Sequence, residues 1–323
     1  MGNMKRKISV IILCIILFSC TGDEKKEIKE FKEIVKVQAK SLLKINDSSE
    51  NQFFYPKLIY DGSKIFFTTK EYNGIWYYDF ETQLIINVSQ INGVGKEFKF
   101  SKDSEKIYYV LPSVTVRSNE KNYALVEYDL ASKSRKIIYN NLEGISNITL
   151  LEGNVISFWV NDNILFYDFT NKSMIPNYDY GKSLINNKDD KLLIYNNSGV
   201  NEKEGYNNQS IKSIQTIINK NEFYLTTDAD DVIKFDITNS GFEFIGKFKN
   251  FGTSPNSNLL FYSSNSQLFI KSSLQPTFAG LEVKGANSIF TPSISSTNDS
   301  FVFNNKDGEI YYLELVIEEK LSD

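Results

Sequence analysis

The feature that most constrains the fold is an internal repeat, in which a polar turn precedes a short apolar strand. The pattern occurs seven times in the 323 residues. Between the first copy and the last, the copies are spaced by about 39 residues. The apolar strands are Ile65–Phe67, Ile107–Tyr109, Val155–Ile156, Leu192–Ile194, Phe223–Leu225, Leu259–Phe261 and Phe301–Phe303.

A second element follows in most copies: an apolar strand that ends in an acidic residue between two apolar ones. Its five copies are Tyr78-Asp79-Phe80, Tyr128-Asp129-Leu130, Tyr167-Asp168-Phe169, Phe235-Asp236-Ile237 and Leu313-Glu314-Leu315. Short aromatic and β-branched segments between turn clusters are typical of all-β proteins. Two elements that repeat in the same order at this spacing predict four-stranded antiparallel blades of a β-propeller.

The number of blades depends on the fourth unit. Between Ile194 and Phe223 the chain must supply two outer strands and the next inner strand, yet Asn196 to Gln209 is polar and is interpreted as a loop. Either blade four is reduced, or units four and five merge. We expect seven blades, with six as the alternative.

Closure of the ring requires a strand from the other end of the chain, because the last unit holds only three strands before residue 320. Upstream, Val35, Val37 and Leu43 belong to an apolar series that alternates with Lys36, Gln38, Lys40 and Lys44. This period of two indicates a half-buried strand. Residues 34–45 are therefore predicted to be the outer strand of the last blade, and residues 20–33 a tether or linker.

The first twenty residues resemble a bacterial lipoprotein signal. The basic residues 5–7 precede an uncharged apolar segment, Ile8 to Phe18, which is shorter than the roughly 20 residues that span a bilayer. The segment ends in Leu17-Phe18-Ser19-Cys20, which is similar to a lipobox. The resemblance implies a signal peptide over 1–19, a lipid such as palmitate on Cys20, and a propeller domain over 34–323. In lipoproteins of this kind, an Asp directly after the lipidated cysteine favours retention in the inner membrane. This chain has Thr21 there, so we expect the outer membrane, with the protein on either the periplasmic or the surface side.

The repeat itself resembles the WD40-like propeller repeats of TolB-type periplasmic proteins. Their repeat carries a Ser-Pro-Asp-Gly turn before a strand. The best matches are Tyr60-Asp61-Gly62-Ser63-Lys64-Ile65, Ser101-Lys102-Asp103-Ser104 and Ser254-Pro255-Asn256-Ser257. The resemblance covers roughly residues 50–318 and implies a fold more than an activity.

Composition excludes several chemistries. The chain has no histidine, and its two cysteines are Cys14 in the leader and Cys20. Catalysis by Ser-His-Asp or Cys-His, and nearly all zinc sites, are therefore excluded, and no cofactor or metal is expected. Acidic residues outnumber basic ones by 40 to 36 without a basic patch, so nucleic acid is not an expected partner.

Other candidate residues have structural interpretations. A carboxylate shared by five copies is expected to accept backbone hydrogen bonds in the next turn. Asp228-Ala229-Asp230-Asp231 lies at a hairpin turn and lacks a calcium-loop spacing. Trp76 and Trp159 are expected in the core. Insertions at 112–122, with Arg117 and Lys121, and at 196–209, with Tyr206, are equally consistent with binding loops and with functionless extensions.

Two hypotheses for function remain open. The first is a membrane-anchored, non-catalytic propeller that binds a protein or glycan of the cell envelope. The second is an envelope glycan hydrolase or lyase that uses Asp/Glu pairs at the propeller mouth, since such chemistry needs no histidine. Carboxyl groups about 5–10 Å apart in one cleft would favour the enzyme.

Overall fold

The computed structural model describes residues 32–49, 51–114, 121–151, 154–176, 178, 184–188, 191–196, 199–216, 222–254, 259–273 and 275–321. The expected leader, Cys20, most of the expected tether and Arg117 lie outside these residues. Glu33–Lys320 form the larger of two compact units of the chain. No helix in the described part of the chain is long and apolar enough to cross a membrane.

The described residues of the larger unit fold into seven antiparallel sheets, and each sheet is a blade of a propeller. In chain order the strands are β1 (Lys32–Lys44), β2 (Phe54–Leu58), β3 (Lys64–Thr68), β4 (Ile75–Asp79), β5 (Leu84–Ser89), β6 (Phe98–Phe100), β7 (Lys106–Val114), β8 (Lys121–Asp129), β9 (Arg135–Asn141), β10 (Ile145–Leu150), β11 (Val155–Val160), β12 (Asn163–Asp168), β13 (Ser173–Met174), β14 (Leu184–Lys188), β15 (Lys191–Asn196), β16 (Gly199–Glu204), β17 (Ile211–Thr216), β18 (Glu222–Thr227), β19 (Asp231–Asp236), β20 (Gly241–Lys247), β21 (Gly252–Thr253), β22 (Leu259–Ser264), β23 (Gln267–Ser272), β24 (Ala279–Glu282), β25 (Phe290–Ile294), β26 (Ser300–Asn304) and β27 (Ile310–Leu321).

The propeller has seven blades, as the repeat predicts. Blade 1 is β2–β5, blade 2 is β6–β9, blade 3 is β10–β13, blade 5 is β17–β20 and blade 6 is β21–β24. Blade 7 has the order β1-β27-β26-β25, so the N-terminal strand closes the ring as predicted. Blade 4 holds three strands, β14–β16, among the described residues, which is the reduced fourth blade rather than a merged one.

The loop interpretation of residues 196–209 is wrong for Asn196 and for Gly199–Glu204, which lie in strands. Gly199–Glu204 form β16, which pairs with β15 from Lys191↔Glu204 to Asn196↔Gly199. Only a short 3-10 turn, Tyr206–Asn208, follows. The strand is polar because it is the outermost one described in blade 4, so backbone pairing rather than side-chain burial defines it.

The closing strand begins at Lys32, two residues before the predicted start, and its buried face differs from the predicted one. Ile34 and Val37 are buried, and Leu42 packs against the same core cluster. Val35 and Leu43, which alternation assigns to the buried face, are 54% and 43% exposed. The intervals of three and five between the packed residues break the period of two, so the face changes along the strand.

The hydrophobic core lies between blades. Phe66 of blade 1 belongs to one buried cluster with Phe98 and Ile107 of blade 2, and Phe67 belongs to another with Val302 of blade 7. The first strands lie innermost, since those of blades 7 and 1, 2 and 3, 4 and 5, and 6 and 7 contact one another. Because the strands of a blade alternate in direction, the loop from its first to its second strand and the loop from its third to its fourth strand lie at the same end of the ring. This end is called the turn face.

Candidate functional site

Four of the five repeated carboxylates shape turns on the turn face, as expected. Asp79 accepts hydrogen bonds from the backbone N–H groups of Glu81 and Thr82 at 2.9 and 3.2 Å. Asp129 accepts from the Ser132 N–H at 2.7 Å. Asp168 and Asp236 make the same bonds with the N–H groups two residues further along, at 2.7 and 2.8 Å. Each Asp ends the third strand of its blade, so the carboxylate caps the turn that follows.

The fifth carboxylate has a different role, and the turn expectation is wrong for it. Glu314 lies within β27, which continues to Leu321 without turning. Its carboxylate accepts a hydrogen bond from the Ser41 hydroxyl at 2.8 Å and pairs with Lys40 at 3.4 Å. Glu314 therefore joins the last strand to the closing strand.

The acidic segment Asp228-Ala229-Asp230-Asp231 occupies the hairpin between β18 and β19. Asp230 pairs with Lys212 at 3.4 Å, and Asp231 pairs with Lys247 at 3.6 Å. The Gln209 amide also donates to Asp231 at 3.1 Å. Within the described ranges, no three residues of the types that ligate metals are grouped to hold an ion.

The remaining candidates are part of the scaffold. Trp159 is fully buried, and Trp76 is half-buried with its ring 5.4 Å from that of Phe53. The described ends of the insertion at 112–122 belong to β7 and β8, which pair as far as Val114↔Lys121. Tyr206 packs edge-on against Phe242 at 5.8 Å.

A groove on the turn face between blades 2 and 3 is the candidate binding site. It has a volume of about 420 Å³, within the range of about 300–1,000 Å³ that is usual for ligand pockets. Leu151 and Val155 supply buried apolar surface from blade 3. Lys102 and Lys106 supply positive charge from blade 2. The other lining residues are Ser101, Asp103, Tyr108, Leu150, Asn154, Phe169 and Thr170.

The polar groups of blade 2 in the groove hold one another in place. The Ser101 hydroxyl donates to Asp103 at 2.5 Å and accepts from the Lys106 N–H at 2.9 Å. The hydrogen bond from Ser101 lowers the pKa of Asp103, although burial opposes the shift. Asp103 therefore stays ionised at neutral pH and is the one carboxylate among the described lining residues.

Tyr108 lines the inner side of the groove, and Glu127 lies behind it, outside the lining. Tyr108 is buried, its hydroxyl lies 3.5 Å from a Glu127 oxygen, and its ring is 4.8 Å from that of Phe169. Burial, followed by the negative charges of Glu127 and Asp103, raises the pKa of Tyr108. Lys106 pairs with Glu127 at 3.5 Å, whereas Lys102 is exposed and makes no ion pair within the described part of the chain. The lining is thus neutral at Tyr108 and cationic at Lys102.

The sequence predictions did not include this groove, although one signal for it is visible. In blade 2 the first turn is spanned by a hydrogen bond from the Ser101 N–H to the Lys106 carbonyl, five residues on, and the same span recurs at Ser254 and Ser295. In blade 3 the Leu151 N–H reaches the Val155 carbonyl, four residues on. The turn of blade 3 is therefore one residue shorter than the turns at Ser101, Ser254 and Ser295, and it borders the groove. An alignment of the repeats would have shown the shorter turn as a one-residue gap.

Comparison with solved structures identifies a WD40-type propeller fold. One chain from a structure of the mitotic checkpoint complex matches with TM-score 0.60 and 10% identity, over 86% of this chain and 91% of that one. U3-55K matches with TM-score 0.60 and 12% identity, over 86% and 99%. The WD40 repeats of RRP9 match with TM-score 0.61 and 12% identity, over 87% and 100%. The sequence matches no model of a protein family and no curated protein.

Proposed function

We propose that this protein is a lipid-anchored, non-catalytic propeller of the bacterial cell envelope that binds a segment of a protein partner in the groove between blades 2 and 3. The observation that carries the proposal is the composition of the groove, in which apolar surface from Leu151 and Val155 adjoins the Lys102 cation, which has no ion pair with a described residue. Such a surface suits an extended segment that presents an apolar and an acidic side chain.

The groove chemistry supports binding over glycan hydrolysis. Hydrolysis by paired carboxylates needs an acid and a second carboxylate at a set separation. Asp103 stands alone among the described lining residues and is held by the Ser101 hydroxyl. The repeated Asp79, Asp129 and Asp168 are committed to backbone N–H groups in turns.

The tether is the second part of the proposal and rests on the resemblance of Leu17-Phe18-Ser19-Cys20 to a lipobox. Acylation of Cys20 would hold the protein in an envelope membrane, with the outer membrane favoured by Thr21. Metabolic labelling with a fatty-acid analogue tests this part. We expect Cys20→Ala to abolish labelling and to release the protein from membranes; equal labelling of the variant would contradict the tether.

A site-specific cross-linking experiment tests the binding function. A photo-reactive residue placed at Thr170, an exposed lining position, should capture a partner in intact cells while Lys102 is kept. The same residue at Lys70, an exposed position at the opposite end of the ring, is the control. Lys102→Glu should abolish the adduct from position 170, because it reverses the charge that an acidic side chain of the partner would contact. Adducts of equal yield from both positions, or an adduct that persists in Lys102→Glu, would refute the groove as the site.

A further inference from the structure

A half-buried lysine next to the axis of the ring has no hydrogen-bond or ion-pair partner among the described residues. Lys57 lies in β2, the innermost strand of blade 1, and its ammonium group sits 4.5 Å from the centre of the Phe98 ring in blade 2. Buried charges are normally paired, so an unpaired ammonium at this depth needs an explanation.

The other half-buried lysines of the described chain all have a partner. Three pair with a carboxylate of their own blade that is itself largely buried: Lys64 with Asp79 at 3.4 Å, Lys106 with Glu127 at 3.5 Å and Lys234 with Glu222 at 2.8 Å. Lys191 pairs with Glu202 at 3.1 Å, and Lys203 and Lys271 donate to backbone carbonyls at 2.5 and 3.0 Å. The lack of a partner for Lys57 is therefore a property of its site and not of half-buried lysines in this fold.

The neighbours of Lys57 add positive charge and supply little negative charge. Lys99 occupies the corresponding position of β6 in the next blade and is exposed. Glu97 is the nearby acid, but its carboxylate is engaged by the N–H groups of Asn147, at 2.8 Å, and Ile148. Burial and the charge of Lys99 lower the pKa of Lys57 to about 8, and Glu97 only partly offsets them. At neutral pH two cations thus share a site with one carboxylate that is already bound.

We infer that Lys57 and Lys99 form a binding site for an anionic oxygen group, a carboxylate or a phosphate, between the inner strands of blades 1 and 2. A bound anion would supply the missing partner of the Lys57 ammonium, and the exposed Lys99 would contact it from the solvent side. The site is separate from the groove between blades 2 and 3 and does not depend on the proposed function.

Thermal unfolding of the full chain tests the inference. Sodium phosphate and sodium acetate are compared with sodium chloride at equal ionic strength. A ligand that binds only the folded state raises Tm, by about 2–4 °C at ten times its Kd. We expect this rise in the wild type with phosphate, acetate or both. A rise with phosphate alone identifies a phosphate site, and a rise with acetate identifies a carboxylate site.

Two variants and a control locate the site. Lys57→Met should abolish the response to the anion and should raise Tm in chloride, because it removes an unpaired charge while keeping the contact with Phe98. Lys249→Met, which removes an exposed lysine elsewhere, should respond as the wild type does. Lys99→Gln changes an exposed residue and is expected to fold, and it should weaken phosphate or acetate binding several-fold by calorimetric titration.

Three results would overturn the inference. The first is an equal Tm in phosphate, acetate and chloride. The second is a Lys57→Met variant that responds to the anions as the wild type does. The third is no heat of binding for either anion to the wild type, which would settle the question even if Lys57→Met failed to fold.

Discussion

At the scale of single residues, the buried amide of Gln275 holds the start of the closing strand. Its carbonyl oxygen accepts from the Ile34 N–H at 3.0 Å, and its NH₂ group donates to the Ile34 carbonyl at 2.9 Å. The side chain of Gln275 thus replaces a strand partner for Ile34. At the other end of β1, Asn46 accepts from the Ile310 N–H at 2.7 Å and donates to the Gly308 carbonyl at 3.1 Å.

We predict that Gln275→Leu lowers the free energy of unfolding by about 2 kcal/mol, because two buried backbone groups of Ile34 lose their partners. Gln267→Leu, at an exposed position of β23, should change it by less than about 0.5 kcal/mol. Urea denaturation followed by tryptophan fluorescence measures both. Equal effects of the two substitutions would show that the Gln275 amide is not a clamp.

Residue roles were predictable from sequence where they repeat and where the partner is local. The carboxylates of Asp79, Asp129 and Asp168 bond to N–H groups within three residues, so the repeat pattern carries the information. Gln275 and Ile34 are separated by 241 positions. A repeat pattern in the sequence does not reveal a contact between residues so far apart. The lack of a described partner for Lys57 was equally unpredictable, because it depends on which residues of blade 2 lie next to blade 1.

At the scale of elements, the Lys203 side chain links β16 of blade 4 to the neighbouring blade 5. The Lys203 ammonium donates to the Ser240 carbonyl at 2.5 Å and lies 5.4 and 5.2 Å from the ring centres of Phe235 and Phe242 in blade 5. The neighbouring residue, Glu202, faces the other side of the strand and pairs with Lys191 in solvent.

We predict that Lys203→Ala lowers the free energy of unfolding by about 1–2 kcal/mol through loss of the cation–π contacts and the hydrogen bond. Glu202→Ala, on the opposite face, should cost less than about 0.5 kcal/mol because the ion pair it removes is exposed. Chemical denaturation compares the two. Hydrogen exchange should speed up in β15 and β16 in Lys203→Ala alone; unchanged exchange would contradict the role of Lys203.

Elements were predictable where side-chain burial defines them. The apolar strands β3, β7 and β26 coincide with predicted copies of the repeat, because their burial repeats in every blade. Backbone pairing defines β16, whose sequence Gly-Val-Asn-Glu-Lys-Glu has no apolar face, and the prediction failed there. The strand β1 was predictable, but its packed residues Ile34 and Leu42 were not. The prediction assumed that every second side chain faces the core, whereas the buried side of this edge strand changes along its length.

At the scale of the whole molecule, hydrogen bonds link neighbouring blades near the axis. The Tyr55 N–H donates to Asn304 at 3.2 Å between blades 1 and 7. The Asn147 amide reaches the Ile185 carbonyl at 2.6 Å between blades 3 and 4, and the Gln215 amide reaches the Phe251 carbonyl at 3.0 Å between blades 5 and 6. Because the core clusters also span blades, the ring is expected to unfold cooperatively.

We predict that acid destabilises this ring and that Asp79 contributes to the loss. Burial raises the pKa of Asp79, but hydrogen bonds from Thr82 and Glu81 and the charge of Lys64 outweigh it, so the folded-state pKa lies below its ordinary value. The unfolded chain then binds more protons as the pH falls. The stabilisation is complete above about pH 5 and is lost as the pH drops through the folded-state pKa.

Urea denaturation of the wild type and Asp79→Asn at pH 5.5 and pH 3 checks this prediction. The amide keeps an acceptor oxygen for the turn and loses the charge that pairs with Lys64 at 3.4 Å. The variant should be less stable than the wild type at pH 5.5, and the difference should shrink at pH 3, because that pH lies below the ordinary pKa of the carboxyl group and the unfolded wild-type chain then gains stability by binding a proton. A difference that stays constant with pH would rule out the ionised carboxylate as the cause.

Among the described residues, three lysines of the closing strand β1 form ion pairs with two glutamates of the last strand, β27, and with Glu309 just before it. Lys36 pairs with Glu318 at 3.6 Å, Lys40 with Glu314 at 3.4 Å and Lys44 with Glu309 at 2.6 Å. The lysine numbers rise as the glutamate numbers fall, so the two strands run antiparallel. The first two pairs are largely exposed and contribute little to stability, so the closing force comes from strand pairing and from burial of Ile34 and Val37.

The sharpest prediction follows from this closure. Deleting residues 32–45 removes the outer strand of blade 7, exposes the backbone edge of β27 and uncovers the cluster that Ile34 and Val37 complete. Burying each such side chain is worth about 1.5–3 kcal/mol, and exposed edges template aggregation. The truncated protein should therefore melt at a lower temperature and aggregate. Deleting residues 21–31 should leave both properties unchanged. Thermal melts of both proteins, made without the first twenty residues, compare them; equal melting temperatures and solubility would mean that β1 does not hold the ring closed.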